Sequence, residues 1–83
     1  MTEPAAAGRI DRGAAVRRAL RTLVARHGFH GASMSAVAAE AGVATGTAYV
    51  HYRSKDELVL ATYLEIKREL AEAATAGLDP NAP

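Results

Sequence analysis

Apolar residues at helical spacing, interrupted by glycines, set the pattern of this 83-residue chain. The clearest stripe contains Val16, Leu20, Leu23 and Val24. Steps of four, three and one residues place these side chains on one side of an α-helix. Gly28 is a natural left-handed stop, and Phe29 just beyond it can fold back onto the helix end. The pattern predicts a first helix over residues 11–27.

Three further helices are predicted downstream. Ser33 has a side chain suited to capping a short second helix, which Gly42 ends. A third short helix follows over about residues 45–52. The fourth helix has the strongest start signal, because Ser54 and Glu57 stand at the spacing of a capping box.

Composition agrees with an all-α fold, since aromatic residues make up only 5% of the chain and alanine is plentiful. The chain is long enough for one small domain. We expect a three-helix helix-turn-helix domain followed by a long fourth helix. The predicted parts are a disordered arm at 1–9, the helix-turn-helix domain at 10–57, a connecting helix at 58–77 and a tail at 78–83.

Several classes of function are disfavoured. The absence of cysteine excludes disulfides, thiolate zinc sites and a cysteine nucleophile. There is no apolar run of the ~20 residues that span a bilayer, and the first residues lack a secretory signal, so we expect a cytoplasmic protein. No acid/base pair, positioned nucleophile, phosphate loop or metal-ligand set indicates an enzyme, a cofactor or a metal site.

Charge is unevenly distributed along the chain. Residues 1–55 contain eight Lys and Arg against three Asp and Glu, a net charge of +5, whereas residues 56–83 carry −4. Two interpretations stay open at this point. Either the first part of the chain faces a polyanion, or the helices have solvated faces that happen to be unevenly charged.

Two short helices joined at Gly42 and Val43 have the spacing of a helix-turn-helix, in which the second helix enters the DNA major groove. The residues at the start of that second helix are small or carry hydroxyl groups. They allow close approach to DNA and can donate hydrogen bonds to phosphates or base edges. Lys55, at the positive start of the fourth helix, suits a phosphate. The alternatives are that Thr45 and Thr47 only cap the helix and that Lys55 is only solvated.

The run from Gly31 to Leu58, GASMSAVAAEAGVATGTAYVHYRSKDEL, resembles the N-terminal DNA-binding domain of TetR-type transcriptional regulators. The signature positions are Gly46, Thr47, Ala48 and Tyr49, followed by Tyr52, Ser54, Lys55 and Leu58. The resemblance covers roughly residues 11–66. It implies sequence-specific binding of double-stranded DNA by a bacterial transcriptional repressor.

The resemblance also implies which residues contact DNA. The implied positions are Ser33, Ser35, Thr45, Gly46, Thr47, Tyr49, His51 and Lys55. Arg9 and Arg12 correspond to an arm that enters the minor groove in some family members. The chain departs from the family pattern at Ala36 and Ala44, where capping side chains are common. It also lacks, after Gly77, the larger helical domain that binds a small molecule and forms the dimer in full family members.

The fourth helix has two apolar stripes. We assign one to the core: Leu58, Val59, Tyr63, Ile66, Leu70 and Ala73. The other consists of Leu60, Leu64 and Ala71. This second stripe predicts a partner surface, either a homodimer or a missing C-terminal domain, unless its members are tolerated surface leucines. The alternative function is a protein-interaction module, or a truncated regulator that pairs with a partner through this stripe.

Overall fold

The computed structural model of the chain describes residues 11–77, and this part consists of four α-helices and a short 3-10 helix, without strands. Helix α1 spans Arg12–His27, the 3-10 helix Phe29–Gly31, α2 Met34–Ala41, α3 Thr45–His51 and α4 Lys55–Gly77. The predicted all-α class is confirmed. The predicted arm at 1–9 and the tail at 78–83 lie outside the described residues.

The ends of α1 follow from local chemistry. The side chain of Asp11 accepts a hydrogen bond from the backbone N–H of Ala14 at 3.0 Å, which caps the first turn. At the other end Gly28 has φ 79°, a conformation that side-chain-bearing residues rarely adopt. The N–H of Gly28 donates to the carbonyl of Val24 at 2.9 Å and closes the last turn. The predicted first helix therefore agrees with α1 within one residue.

The core is built around α1, which packs against the 3-10 helix and all three other α-helices. The largest fully buried side chains of the core are Val16, Val37 and Leu58, one each from α1, α2 and α4. The smaller or less completely buried members are Ala19, Leu20, Leu23, Ala32, Met34, Ala38 and Ala48. Apolar burial of this kind is the main source of stability in a small helical domain, so α1 is the element that holds the others together.

The predicted core face of α4 is only partly correct. Leu58 is fully buried, and Val59 and Ile66 are half-buried. Tyr63 and Leu70 are 54% and 64% exposed, and Ala73 is exposed as well. The assignment of these three residues to the core was wrong. Leu70 and Ala73 fall in the stretch from Lys67 to Ala76, where every residue is exposed, and Tyr63 is exposed beside the buried Thr62.

A polar residue, Thr62, takes a core position that the apolar pattern of α4 did not indicate. It is buried, and its hydroxyl donates to the carbonyl of Leu58 at 2.8 Å. That bond satisfies the hydroxyl, so its burial carries no penalty for a lost hydrogen bond.

The start of α4 shows half of the predicted capping box. The hydroxyl of Ser54 accepts from the N–H of Glu57 at 3.1 Å, as expected. The Glu57 carboxylate, however, accepts from the N–H of Arg53 at 2.6 Å rather than from that of Ser54. The reciprocal bond thus falls one residue earlier than in the predicted motif.

Within residues 11–77, none of the helices combines the length and the apolar character needed to cross a bilayer.

Candidate nucleic-acid interface

The turn between α2 and α3 fixes the geometry of the candidate site. Gly42 is left-handed, with φ 75° and ψ 27°. Its N–H donates to the carbonyl of Ala39 at 3.1 Å, and the N–H of Val43 donates to that of Ala38 at 3.0 Å. This pair of bonds is a Schellman motif, and the partly buried Val43 packs against the core, as expected for the residue that follows such a turn.

Helix α3 is anchored on one side and open on the other. Ala48 is its one buried residue, and Tyr52, a turn later, is partly buried against the core. At about 100° per residue, Gly46 and Val50 lie nearly opposite Ala48. Both are exposed, Val50 at 80%. The outer face of α3 is therefore free to meet a ligand surface.

Most of the predicted contact residues of α3 are exposed. Thr45, Gly46, Tyr49 and His51 are exposed, and Thr47 is half-buried. Tyr49 is exposed, whereas Tyr52 is partly buried against the core. The structure thus brings these five positions together on one short helix. Its N-cap residue, Ala44, provides no side-chain hydrogen bond, in agreement with the departure seen in the sequence.

Val50 lies on this face but is not among the DNA-contact residues predicted from the sequence. Its side chain has no charge and no hydrogen-bonding group, so it is not predicted as a contact residue on the basis of hydrogen-bond donors. Its position two residues after Ala48 is the signal that could have identified it, because that spacing turns a helical residue away from the core.

The start of α2 brings two more predicted residues to the surface. Ser33 is the N-cap of α2, and its hydroxyl oxygen accepts from the N–H of Ala36 at 3.1 Å. Ser35, two residues further along the chain, is exposed. Because Ser33 serves the helix as an acceptor, its hydroxyl proton can still be donated outward.

Lys55 is placed differently from the free ammonium that a phosphate-binding role suggests. Its Nζ donates to the carbonyl of Phe29 at 2.7 Å and lies 4.1 Å from the centroid of the Phe29 ring. The lysine therefore ties the start of α4 to the 3-10 helix. An ammonium has three donors, so this bond leaves two for another acceptor.

Charge on α1 is divided between internal pairs and open cations. Arg17 and Arg21 pair with Glu65 at 3.0 Å and with Glu69 at 3.0 Å, respectively, so part of the positive charge of residues 1–55 is balanced by α4. Hydrogen bonds to Tyr52 in the first case and to Glu69 in the second raise the pKa of each guanidinium above its ordinary value. Because a guanidinium is charged at any physiological pH, both arginines take part in these contacts as cations.

Four exposed arginines form no ion pair within the described part of the chain: Arg12, Arg18, Arg53 and Arg68. Arg12 is the first residue of α1, and its predicted companion in the arm, Arg9, lies outside residues 11–77. Among the described residues, open positive charge therefore lies at the start and outer side of α1, just after α3, and on α4 at Lys67 and Arg68.

A tight turn between two short helices, with the second helix open to solvent, defines a helix-turn-helix module. A family model described as bacterial regulatory proteins of the tetR family matches residues 16–62, more than half of the chain. The protein belongs to the TetR family, and the described residues contain its DNA-binding domain.

Two curated relatives agree with this assignment. The HTH-type transcriptional regulator BetI of Agrobacterium fabrum is 40% identical over 69 residues, which cover 83% of this chain and 33% of that protein. The Fatty acid metabolism regulator protein of Bacillus subtilis is 29% identical over 62 residues, or 65% of this chain and 32% of that protein. The chain spans about a third of the length of these relatives. No solved structure matches it significantly.

Proposed function

We propose that this protein is a cytoplasmic transcriptional repressor that reads double-stranded DNA by placing α3 in the major groove. The observation that carries the proposal is the one-sided anchoring of α3. Ala48 is buried to 0% exposure, whereas the opposite position, Val50, is 80% exposed. A helix held on one side and open along the other is the element that a helix-turn-helix protein inserts between the phosphate backbones.

The chemistry of this face favours readout by shape and by small contacts. Thr45 and Gly46 allow the start of α3 to approach base edges, and the methyl groups of Val50 suit the methyl group of thymine. The described α3 contains neither arginine nor lysine, so bidentate recognition of guanine is not available from this helix. Specificity would then depend on groove shape, bridging water and methyl contacts.

The remaining predicted residues surround α3 with groups that suit phosphates. Thr47, Tyr49 and His51 supply donors along the helix, and Ser33 supplies the hydroxyl proton that its capping bond leaves free. Ser35 would reach toward base edges, Lys55 would offer its two remaining donors, and Arg9 and Arg12 would follow the minor groove. The contacts with the DNA backbone would position α3 on the duplex, whereas contacts between α3 and the bases would distinguish the sequence.

Selection of the 83-residue protein against a random pool of duplexes at low salt tests this proposal. Enrichment of a common sequence supports sequence-specific binding. An inverted repeat would mean that two copies bind together, and a single half-site would mean that one copy binds alone. Failure to enrich any sequence, with the helices shown intact by circular dichroism, would contradict the proposal.

A second candidate function is favoured by the exposed apolar residues of α4. Leu60 and Leu64 are both more than half exposed, and Ala71 is exposed on the same stripe. We propose that this stripe packs against the rest of a longer regulator, since the match to each of the two relatives covers only about a third of that protein. On this view α4 connects the DNA-reading helices to a partner surface.

Two matched substitutions separate the two roles. Val50→Glu and Leu64→Glu each place one negative charge at an exposed apolar position, so both change the net charge equally and neither disturbs the core. Under the DNA-binding proposal Val50→Glu abolishes enrichment and Leu64→Glu leaves it intact. An interaction module would show the reverse sensitivity, with partner binding lost in Leu64→Glu alone.

A further inference from the structure

The side chain of Arg17, on α1, forms hydrogen bonds with α4 and with the residue that follows α3. Its Nε donates to Oε2 of Glu65 on α4 at 3.0 Å, and its Nη1 donates to the hydroxyl of Tyr52 at 2.7 Å. The Tyr52 hydroxyl in turn lies 3.5 Å from the carbonyl of Gly13 on α1, to which it donates. One guanidinium therefore connects α1 and α4 with the residue that directly follows α3.

Tyr52 is well placed to transmit that connection to α3. It is the C-cap of α3, and its N–H donates to the carbonyl of Ala48 at 3.0 Å. Its ring packs against the core, while its hydroxyl is held by Arg17. The position of the hydroxyl therefore restrains the last turn of the helix directly.

The restraint matters because α3 is short and weakly anchored. It has seven residues and buries only Ala48, whose side chain is a single methyl group. Contact at one small side chain leaves a short helix free to rock about that point. A second anchor at Tyr52, one turn further along, fixes the angle that α3 makes with α1 and α4.

A neighbouring arginine provides a natural comparison. Arg21 also pairs with α4, at 3.0 Å to Glu69 and 3.5 Å to Glu65, but its hydrogen bonds do not reach α3. It is more exposed than Arg17, with 40% of its side-chain surface accessible against 24%. Exposed pairs of this kind contribute little to stability. The two arginines thus share a charge and a partner helix but differ in their contact with Tyr52.

We infer that Arg17 is a positioning residue for DNA recognition: without touching DNA, it fixes the orientation of α3 by holding the hydroxyl of Tyr52. This inference rests on the proposed DNA-reading role of α3. Loss of the bond, from either side, lets the outer face of α3 move away from the angle that fits the groove.

The first test is the affinity of three variants for a selected duplex, measured by fluorescence anisotropy at a temperature where each variant is folded by circular dichroism. Arg17→Met and Tyr52→Phe should each weaken binding about tenfold, the loss expected from one hydrogen bond to a charged group. The double variant should lose no more than either single variant, because both remove the same contact. Arg21→Met, which removes an equal charge, should stay within about twofold of the unsubstituted protein.

Equal losses in Arg17→Met and Arg21→Met would overturn the inference, since charge alone would then explain the effect. Unchanged binding by folded Tyr52→Phe would overturn it as well. Tyr52→Phe keeps the aromatic ring in the core, so it provides a decisive result even where Arg17→Met does not fold.

The second test needs no DNA. Backbone amide chemical shifts of the free protein should change throughout α3 in Arg17→Met and Tyr52→Phe, and should stay unchanged there in Arg21→Met. If the amides of α3 do not respond to Tyr52→Phe, the positioning role is refuted. If the protein selects no duplex but these amides do respond, the proposed function fails while the mechanical link from Arg17 to α3 stands.

Discussion

Truncation of Leu58 to alanine should unfold or nearly unfold this domain. Leu58 is the largest of the fully buried side chains, and it lies where α4 joins the core formed by α1 and α2. Removing a buried leucine side chain costs about 2–5 kcal/mol, because the lost burial is followed by an unfilled cavity. A domain of this size has a total stability of only about 3–5 kcal/mol.

The assay is thermal and urea denaturation followed by circular dichroism. One kcal/mol corresponds to about 4–8 °C in the melting temperature of a domain with 60–100 residues. A loss of about 3 kcal/mol thus lowers the melting temperature of Leu58→Ala by at least about 12 °C.

Leu60→Ala is the matched control. It makes the same chemical change two residues along the same helix, at a position that is 56% exposed. The expected cost is within about 0.5 kcal/mol. Comparable losses in the two variants, or a cost below about 1 kcal/mol for Leu58→Ala, would refute the assignment of Leu58 to the core.

Three further substitutions test local features through the free energy of unfolding in urea. Ser33→Ala should cost about 1 kcal/mol by removing the N-cap bond of α2, whereas Ser35→Ala should be nearly neutral; equal costs would contradict the capping role. Gly42→Ala should cost about 1–2 kcal/mol because of its left-handed backbone, whereas Gly46→Ala, in open space on α3, should stabilise by about 0.5–1 kcal/mol. Ala44→Ser should stabilise the protein by about 1 kcal/mol by capping α3, and an unchanged stability would contradict the assignment of Ala44 as N-cap.

Much of the fold could be predicted from local sequence signals. Three local signals determine where helices form and end: the periodicity of α1, the capping side chain of Ser33 and the left-handed Gly42. Each acts within a few residues, so each can be read from the sequence alone. The predicted ends of the helices accordingly agree with the structure within one or two residues.

The inward face of α4 could not be predicted as well, because burial depends on how far a neighbouring helix extends. A helical wheel groups Leu58 with Tyr63 and Leu70, although only Leu58 lies against the core. The burial of Thr62 was also not predicted. Its hydroxyl donates to the carbonyl of Leu58 within α4, and the amino-acid composition does not reveal that bond.

The candidate site shows the same division. The exposure of Gly46 and Tyr49 on α3 follows from the spacing of the turn and from the anchoring of Ala48. The ties of Arg17 to Tyr52 and of Lys55 to Phe29 join residues 35 and 26 positions apart. Such contacts depend on how the helices pack, and no periodicity in the chain indicates them.

The most direct test of the central claim is a titration of the 15N-labelled protein with its selected duplex, followed by amide chemical shifts. We expect changes concentrated in α3, at the start of α2 and around Lys55, with the second half of α4 unaffected. Changes confined to the stripe of Leu60 and Leu64, or no changes at all in α3, would contradict the assignment of α3 as the DNA-reading helix.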